Sequence, residues 1–282
     1  MRDHTPIGTK LINVNGVDLC VAIEQGDGNG PYLLLINGIG ANLELFDPFI
    51  EALENVGEQK IGTIRFNVPE IGRSPPPRYP FRFKGLARLI SEMLDAVGLP
   101  EVDVLGISWG GALAQQFAYQ YPSRCRCLIL VSTSSGGVSM PGKPSALSKM
   151  ISPRRYLDPP YMAAIAPLLY GNSFQQDPDL AHAYAQLIKA PHGPGYLMQL
   201  LAGVGWTSIH RLHRLRQPTL ILAGKDDVIV PPINARILAR IIPHATLRIF
   251  NGGHLFALTE KEQVATLVYT FLREDSTAGK RG

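Results

Sequence analysis

The stretch Gly106-Ile107-Ser108-Trp109-Gly110 sets a serine between glycines two residues away on either side. An apolar run, VDVLGIS (102–108), leads into it, and the helix-forming ALAQQFAYQYP follows. Glycine and serine are common, so the motif alone is also compatible with a small-residue corner between a strand and a helix. The strand–turn–helix setting is what a nucleophile elbow requires: the backbone bends sharply and projects the hydroxyl above the sheet. Gly111 adds a further small residue where the helix packs close to the strand.

A serine hydroxyl is a weak nucleophile until a base takes its proton. His254, in NGGHLFALTE, follows the last apolar run, at the end of a strand where open α/β sheets place their active sites. The other histidines are less well placed: His4 in the leader, His182 and His192 in a long insertion, His210 and His213 in a basic patch, and His244 in a turn before a strand. The imidazole in turn needs a carboxylate to hold its tautomer. Asp226 and Asp227 both follow TLILAG (219–224); Asp227, three residues after Gly224 and four before Pro231, is the choice, with Asp226 as the alternative. The order Ser…Asp…His is the one that triads on such elbows follow. Acyl transfer also needs donors for a developing oxyanion, and these are expected from the backbone N–H of Trp109 and of Ile39, the latter in the loop Asn37-Gly38-Ile39-Gly40. Asn37, Gly38, Trp206 and Leu255 are the expected substrate-binding residues. This chemistry calls for no cofactor and no metal.

Elements that could position these groups recur along the chain. The runs YLLLI (32–36), IGTIRF (61–66), VDVLGIS (102–108), LILVST (128–133), TLILAG (219–224) and ATLRIF (245–250) alternate with helical stretches. That pattern predicts an α/β fold, a mostly parallel twisted sheet with helices on both faces. LINVNGVDLCVAIE (11–24) predicts an antiparallel hairpin at the sheet edge, turning at Asn15-Gly16. From Ser134 to Leu215 no convincing strand appears, which predicts a helical lid or cap (134–215) inserted in a core formed by 1–133 and 216–275. Its apolar pieces MAAIAPLLYG (162–171) and GYLMQLLAGVGW (195–206) could pack a small helical subdomain, wall an apolar substrate site, or do both. EKEQVATLVYTFLRE (260–274) predicts a closing amphipathic helix, with 276–282 a flexible tail.

Composition excludes several classes. The chain has 282 residues, 45% of them hydrophobic, enough for a full core, and no apolar run long enough to span a membrane. The N-terminus lacks the pattern of a secretory signal. Cys20, Cys125 and Cys127 have no CxxC spacing, which argues against a disulfide framework and a zinc site and favours a cytoplasmic setting. A net charge of +4 with no long basic block interleaved with aromatics argues against nucleic acid. The densest basic stretch, RLHRLR (211–216) beside His210, reads as a solvated helix face, and two histidines without a third ligand make a poor metal site.

Together these pieces resemble the α/β-hydrolase superfamily over nearly the whole chain. INGIGANLELFDPFIEAL (36–53), GISWGGALAQQFAYQYP (106–122), PGKP (141–144), SPRRY (152–156), GWTSIHRLH (205–213) and QPTLILAGKDD (217–227) resemble the intracellular medium-chain-length polyhydroxyalkanoate depolymerases of bacteria. Asn37-Gly38 supports this, because many members of the superfamily carry His-Gly there. The resemblance implies Ser108 as nucleophile, Asp227 as orienting acid and His254 as base. It also implies an aliphatic polyester or hydrophobic ester substrate, met at the surface of a cytoplasmic granule. The alternatives are a carboxylesterase or lipase on monomeric esters, a C–C bond hydrolase, or a ligand-binding or granule-coat protein with little turnover. A haloalkane dehalogenase would need an aspartate in place of Ser108. The chain departs from its relatives at Asn67-Val68-Pro69-Glu70, where Asp at the first position and Gly at the fourth are usual. Glu70 is poorly suited to the turn a glycine allows, so a differently shaped loop is expected there.

Overall fold

A computed structural model of the chain describes all residues except 1–7, 29, 78, 153, 155–157, 172, 173, 175, 177, 178, 180, 182–194 and 279–282, with the backbone alone for 275–278. The strands are β1 (Thr9–Val14), β2 (Val17–Glu24), β3 (Tyr32–Ile36), β4 (Thr63–Phe66), β5 (Val102–Ile107), β6 (Cys125–Val131), β7 (Thr219–Gly224) and β8 (Ala245–Phe250). They form one sheet in the order β1-β2-β4-β3-β5-β6-β7-β8. β2 runs antiparallel to both β1 and β4, and every other pairing is parallel. The β1–β2 hairpin turns through Asn15 (φ 50°) and Gly16 (φ 83°), the left-handed pair that a tight hairpin requires.

The parallel strands inside the sheet, β3 to β7, are buried on both faces, and their alternation divides the core in two. Leu34 and Ile36 of β3, Leu128 and Leu130 of β6, and Ile221 and Ala223 of β7 face one side. There they meet α2 (Phe83–Ala96), α3 (Trp109–Gln120) and α7 (Ile233–Ile241). Leu33 and Leu35, Cys127, Ile129 and Val131, and Leu220 and Leu222 face the other side, against α1 (Asp47–Glu54), α8 (Phe256–Thr259) and α9 (Lys261–Ala278). α9 extends through Ala278, so the first three residues of the expected tail continue the helix, and 279–282 lie outside the described residues.

Between β6 and β7 the described residues form α4 (Pro144–Ile151), α5 (Pro159–Tyr170) and α6 (Gly195–Gly203). The two ends of this segment meet at a neck, where Gly136 and Thr207 form a β-bridge and Gly137 N–H bonds Trp206 O at 2.9 Å. Ser208 Oγ donates to Gln115 Oε1 of α3 at 2.7 Å, which fastens the neck to the core. The basic stretch is not a helix face. It forms a single 3₁₀ turn (Leu212–Arg214) in which Leu212 and Leu215 are buried in the core and Arg211 lies over the Tyr119 ring. The buried leucines and the one stacked cation anchor this stretch, while His213, Arg214 and Arg216 remain exposed.

The loop after β4 keeps a left-handed turn without the glycine. Glu70 takes φ 68°, and its N–H bonds Ser74 O at 3.1 Å. The loop is fastened around it: Asn67 Oδ1 accepts from Leu43 N–H at 2.7 Å, and Ser74 Oγ donates to Asn67 O at 2.8 Å. These bonds hold the turn in place, and the side chain absorbs the steric cost. Glu70 Oε2 is buried without a hydrogen-bond partner, and burial raises its carboxyl above the ordinary range. Glu70→Gly is therefore expected to stabilise the chain by about 1 kcal/mol, the left-handed penalty less the extra chain entropy of glycine. Thermal unfolding should show this as a Tm higher by roughly 2–4 °C; a lower Tm would mean that the carboxylate contributes more than the strain costs.

Candidate active site

Ser108 stands between β5 and α3 with φ 56° and ψ −116°, a conformation that a residue with a Cβ rarely adopts. Close packing imposes it. A Cβ on Gly106 would lie 2.4 Å from Gly110 O, and one on Gly110 would lie 2.2 Å from Ile36 O, so only glycine lets α3 rest this near β3 and β5. Ser108 N–H remains in the sheet, bonded to Val131 O at 2.8 Å. The side chain is thereby lifted off the sheet at the start of α3, where unpaired N–H groups make a positive helix end.

The side chains named from the sequence meet here. His254 Nε2 lies 3.0 Å from Ser108 Oγ, and His254 Nδ1 lies 2.7 Å from Asp227 Oδ2. An ionised carboxylate can only accept, so the imidazole proton belongs on Nδ1 and Nε2 is left as the acceptor for the serine hydroxyl. Asp227 is held in turn: its Oδ1 accepts from Ile229 N–H at 2.9 Å and Val230 N–H at 2.8 Å. Asp227 and His254 are buried, whereas Asp226 is exposed and uses its backbone N–H to bond Gly252 O. The structure thus brings Asp227, not Asp226, to the imidazole. Of the other histidines, His4, His182 and His192 lie outside the described residues.

A mostly apolar cleft opens beside Ser108. Asn37, Gly38, Ile39 and Leu255 line it, joined by Met150 and Tyr170 from the segment between β6 and β7. Gly38 faces Ser108 closely, since a Cβ there would sit 3.6 Å from Ser108 Cβ. Asn37 is fixed by donation from Nδ2 to Asn42 O at 2.5 Å. In the segment between β6 and β7, Met162, Ile165, Ala166 and Leu169 pack with Ala41, Leu45, Ile229 and Leu255, while Met150 and Tyr170 face the cleft. Trp206 does not line the cleft. Its ring sits edge-on to Phe83 at 5.0 Å, and its indole N–H donates to Gln116 Oε1 at 2.9 Å, so it belongs to the neck. The Trp109 indole is also directed away, its ring tilted against Phe83 with centroids 5.0 Å apart.

Two hydroxyls at the end of β6 were not anticipated. Ser132 Oγ donates to His254 O at 2.9 Å, and Thr133 Oγ1 donates to Ser108 O at 2.7 Å. β6 lies between β5 and β7, so its tip bonds the backbone beneath both the serine and the histidine. Ser132 adopts φ 46°, a second strained residue at the same rim. The only sequence signal was the pair of hydroxyls closing LILVST. Ser132→Ala should destabilise the chain by about 1–3 kcal/mol, because the buried His254 carbonyl loses its donor. It should also lower turnover of a soluble aryl ester about tenfold through misalignment of the imidazole. Thr133→Val should do less, since Ser108 O also accepts from Gly111 N–H at 3.0 Å. Unfolding and steady-state kinetics on both variants check this ordering.

Comparison with known proteins agrees with this architecture. The family model described as alpha/beta hydrolase fold matches residues 31–261. The chain is 48% identical over 266 residues to the poly(3-hydroxyalkanoate) depolymerase of Ectopseudomonas oleovorans, covering 94% of this chain and 93% of that one. It is 31% identical over 198 residues to a 2-hydroxymuconate semialdehyde hydrolase of Pseudomonas putida, covering 64% of this chain and 66% of that one. The crystal structure of the enol-lactonase from Burkholderia xenovorans LB400 superposes with a TM-score of 0.81 at 20% identity, covering 94% of this chain and 100% of that one. The sheet order, the strained serine between β5 and α3, and the match across most of its length lead to one conclusion: this chain belongs to the alpha/beta-hydrolase fold family.

Proposed function

We propose that this protein is a serine ester hydrolase that depolymerises medium-chain-length polyhydroxyalkanoate. The observation that carries the reading is the continuous chain of contacts from Asp227 through His254 to Ser108, at the edge of an apolar cleft. Its near relative in Ectopseudomonas oleovorans supports the choice of substrate. In the first step His254 Nε2 takes the proton of Ser108 as its Oγ attacks the ester carbonyl, and Asp227 steadies the imidazolium. The oxyanion is held by the N–H groups of Ile39 and Trp109, the latter at the positive end of α3. The alcohol end of the chain leaves with the proton from His254. Water activated by the same imidazole then releases the hydroxyacyl group and restores the serine. The mechanism uses side chains and backbone alone.

Residues 134–215 form a cap over a core of 1–133 and 216–275, and the aliphatic side chains of the polymer lie against Ile39, Leu255, Met150 and Tyr170. Among the described residues no helix is long and apolar enough to cross a membrane. The protein works in the cytoplasm, at the surface of the polymer granule. Shorter soluble esters are also substrates, because an apolar pocket discriminates by only about 1–3 kcal/mol per methylene.

The test compares wild type with Ser108→Ala on medium-chain polyester granules, short-chain polyester and nitrophenyl octanoate. Wild type should release hydroxyacids from the medium-chain granules, and Ser108→Ala should lose at least ~10⁴-fold in turnover on every substrate. Turnover of the soluble ester with no action on any polyester would make the chain a carboxylesterase for monomers. Polymer loss that survives Ser108→Ala would overturn the mechanism. Binding to granules with no turnover at all would make it a coat protein.

A further inference from the structure

One helix of the cap reaches the loops after β3, β4 and β5. α6 begins at Gly195, where a Cβ would stand 2.3 Å from Glu70 O, and ends at Gly203, whose Cβ position lies 4.0 Å from Trp109 Nε1. Midway between them, Gln199 is an amide side chain in the otherwise apolar run LMQLLAG, and only 4% of it is exposed. Gln199 Oε1 accepts from Gly40 N–H at 2.6 Å, and Gln199 O accepts from the Trp109 indole N–H at 2.8 Å. Gly40 follows Ile39, and Trp109 follows Ser108. A single cap residue therefore bonds both segments from which the oxyanion donors come, one at the Gly40 backbone and the other at the Trp109 indole.

The grip on Gly40 has a specific mechanical effect. Ala41 N–H returns to Gly38 O at 3.3 Å, closing a turn over 38–41 with Gly40 third at φ 74°. A turn with positive φ at its third residue is of type II, and flipping its central peptide converts it to type I. That central peptide joins Ile39 to Gly40, and glycine opposes the flip only weakly. A buried acceptor on Gly40 N–H holds the peptide in one orientation and keeps the Ile39 carbonyl dipole fixed relative to the cleft.

We infer that Gln199 is a positioning residue for the oxyanion hole, so that the hole is complete only while α6 of the cap is seated on the loops after β3 and β5. This rests on the reading of the chain as a serine ester hydrolase with Ile39 and Trp109 as donors. Gln199 touches no reacting atom. Its contribution is to transition-state stabilisation, and substrate binding is left nearly unchanged.

The test uses Gln199→Met, which keeps the side-chain length and the main-chain carbonyl to Trp109 but deletes the acceptor for Gly40. With nitrophenyl octanoate, kcat should fall at least about tenfold while KM stays within about twofold. The affinity for n-octylboronic acid, which bonds Ser108 Oγ through boron and presents a tetrahedral anionic oxygen, should fall by the same factor as kcat/KM. A kcat within about twofold of wild type overturns the inference, as does a loss of kcat with boronate affinity intact. Should Gln199→Met fail to fold, Gln199→Glu carries the test. It keeps an acceptor but places a titrating charge beside the hole, so the ratio of its boronate affinity to that of wild type should fall as the new carboxyl ionises. A ratio independent of pH overturns the inference. Ser108→Ala separates the two levels: turnover that persists in that variant defeats the hydrolase reading itself, whereas its loss beside an unaffected Gln199→Met defeats only the role of Gln199.

Discussion

The backbone of Ser108 must hold a conformation that its own Cβ resists, and much of the surrounding structure exists to enforce it. A left-handed residue of this kind costs on the order of 1–3 kcal/mol unless its neighbours leave no alternative. The enforcement comes from two directions. Ser108 N–H is kept in register with β6 through Val131 O, while α3 is pressed down on β3 and β5 by glycines with no room for a side chain. Neither element can relax without breaking the other. The hydroxyl consequently sits at a fixed height over the rim, and the loops after β7 and β8 only have to deliver Asp227 and His254 to that height.

Much of this arrangement is legible in the sequence because a parallel sheet has a strong signature. Strands buried on both faces are short, continuous and apolar, and the catalytic groups must follow them. The serine, the histidine and the Asn37–Gly40 loop could each be located by their position after such a run. The adjacent aspartates were separable only in part, since both follow the same strand; burial and the amides of Ile229 and Val230 decide for Asp227.

What was not legible depends on partners far away in the chain. Ser132 and Thr133 look like ordinary residues at the end of a strand, and only the crossing order of the sheet sets them under Ser108 and His254. Gln199 acts on Gly40, 159 residues earlier. Trp206 follows a related rule: an aromatic in an apolar stretch suggests a substrate wall, yet its indole N–H bonds Gln116 in α3, away from the cleft. Glu70 illustrates the opposite case, where local preference opposes the turn and the bonds of Asn67 and Ser74 override it.

The neck at Gly136 and Thr207 brings the two ends of the segment between β6 and β7 together. Because its two ends already lie side by side, some seventy residues enter and leave the core without stretching it, and the entropy of closing such a loop grows only slowly with its length. The chain thus leaves the sheet after β6 and returns before β7 at one place, and the helices between settle on the loops that carry Gly40, Trp109 and Leu255.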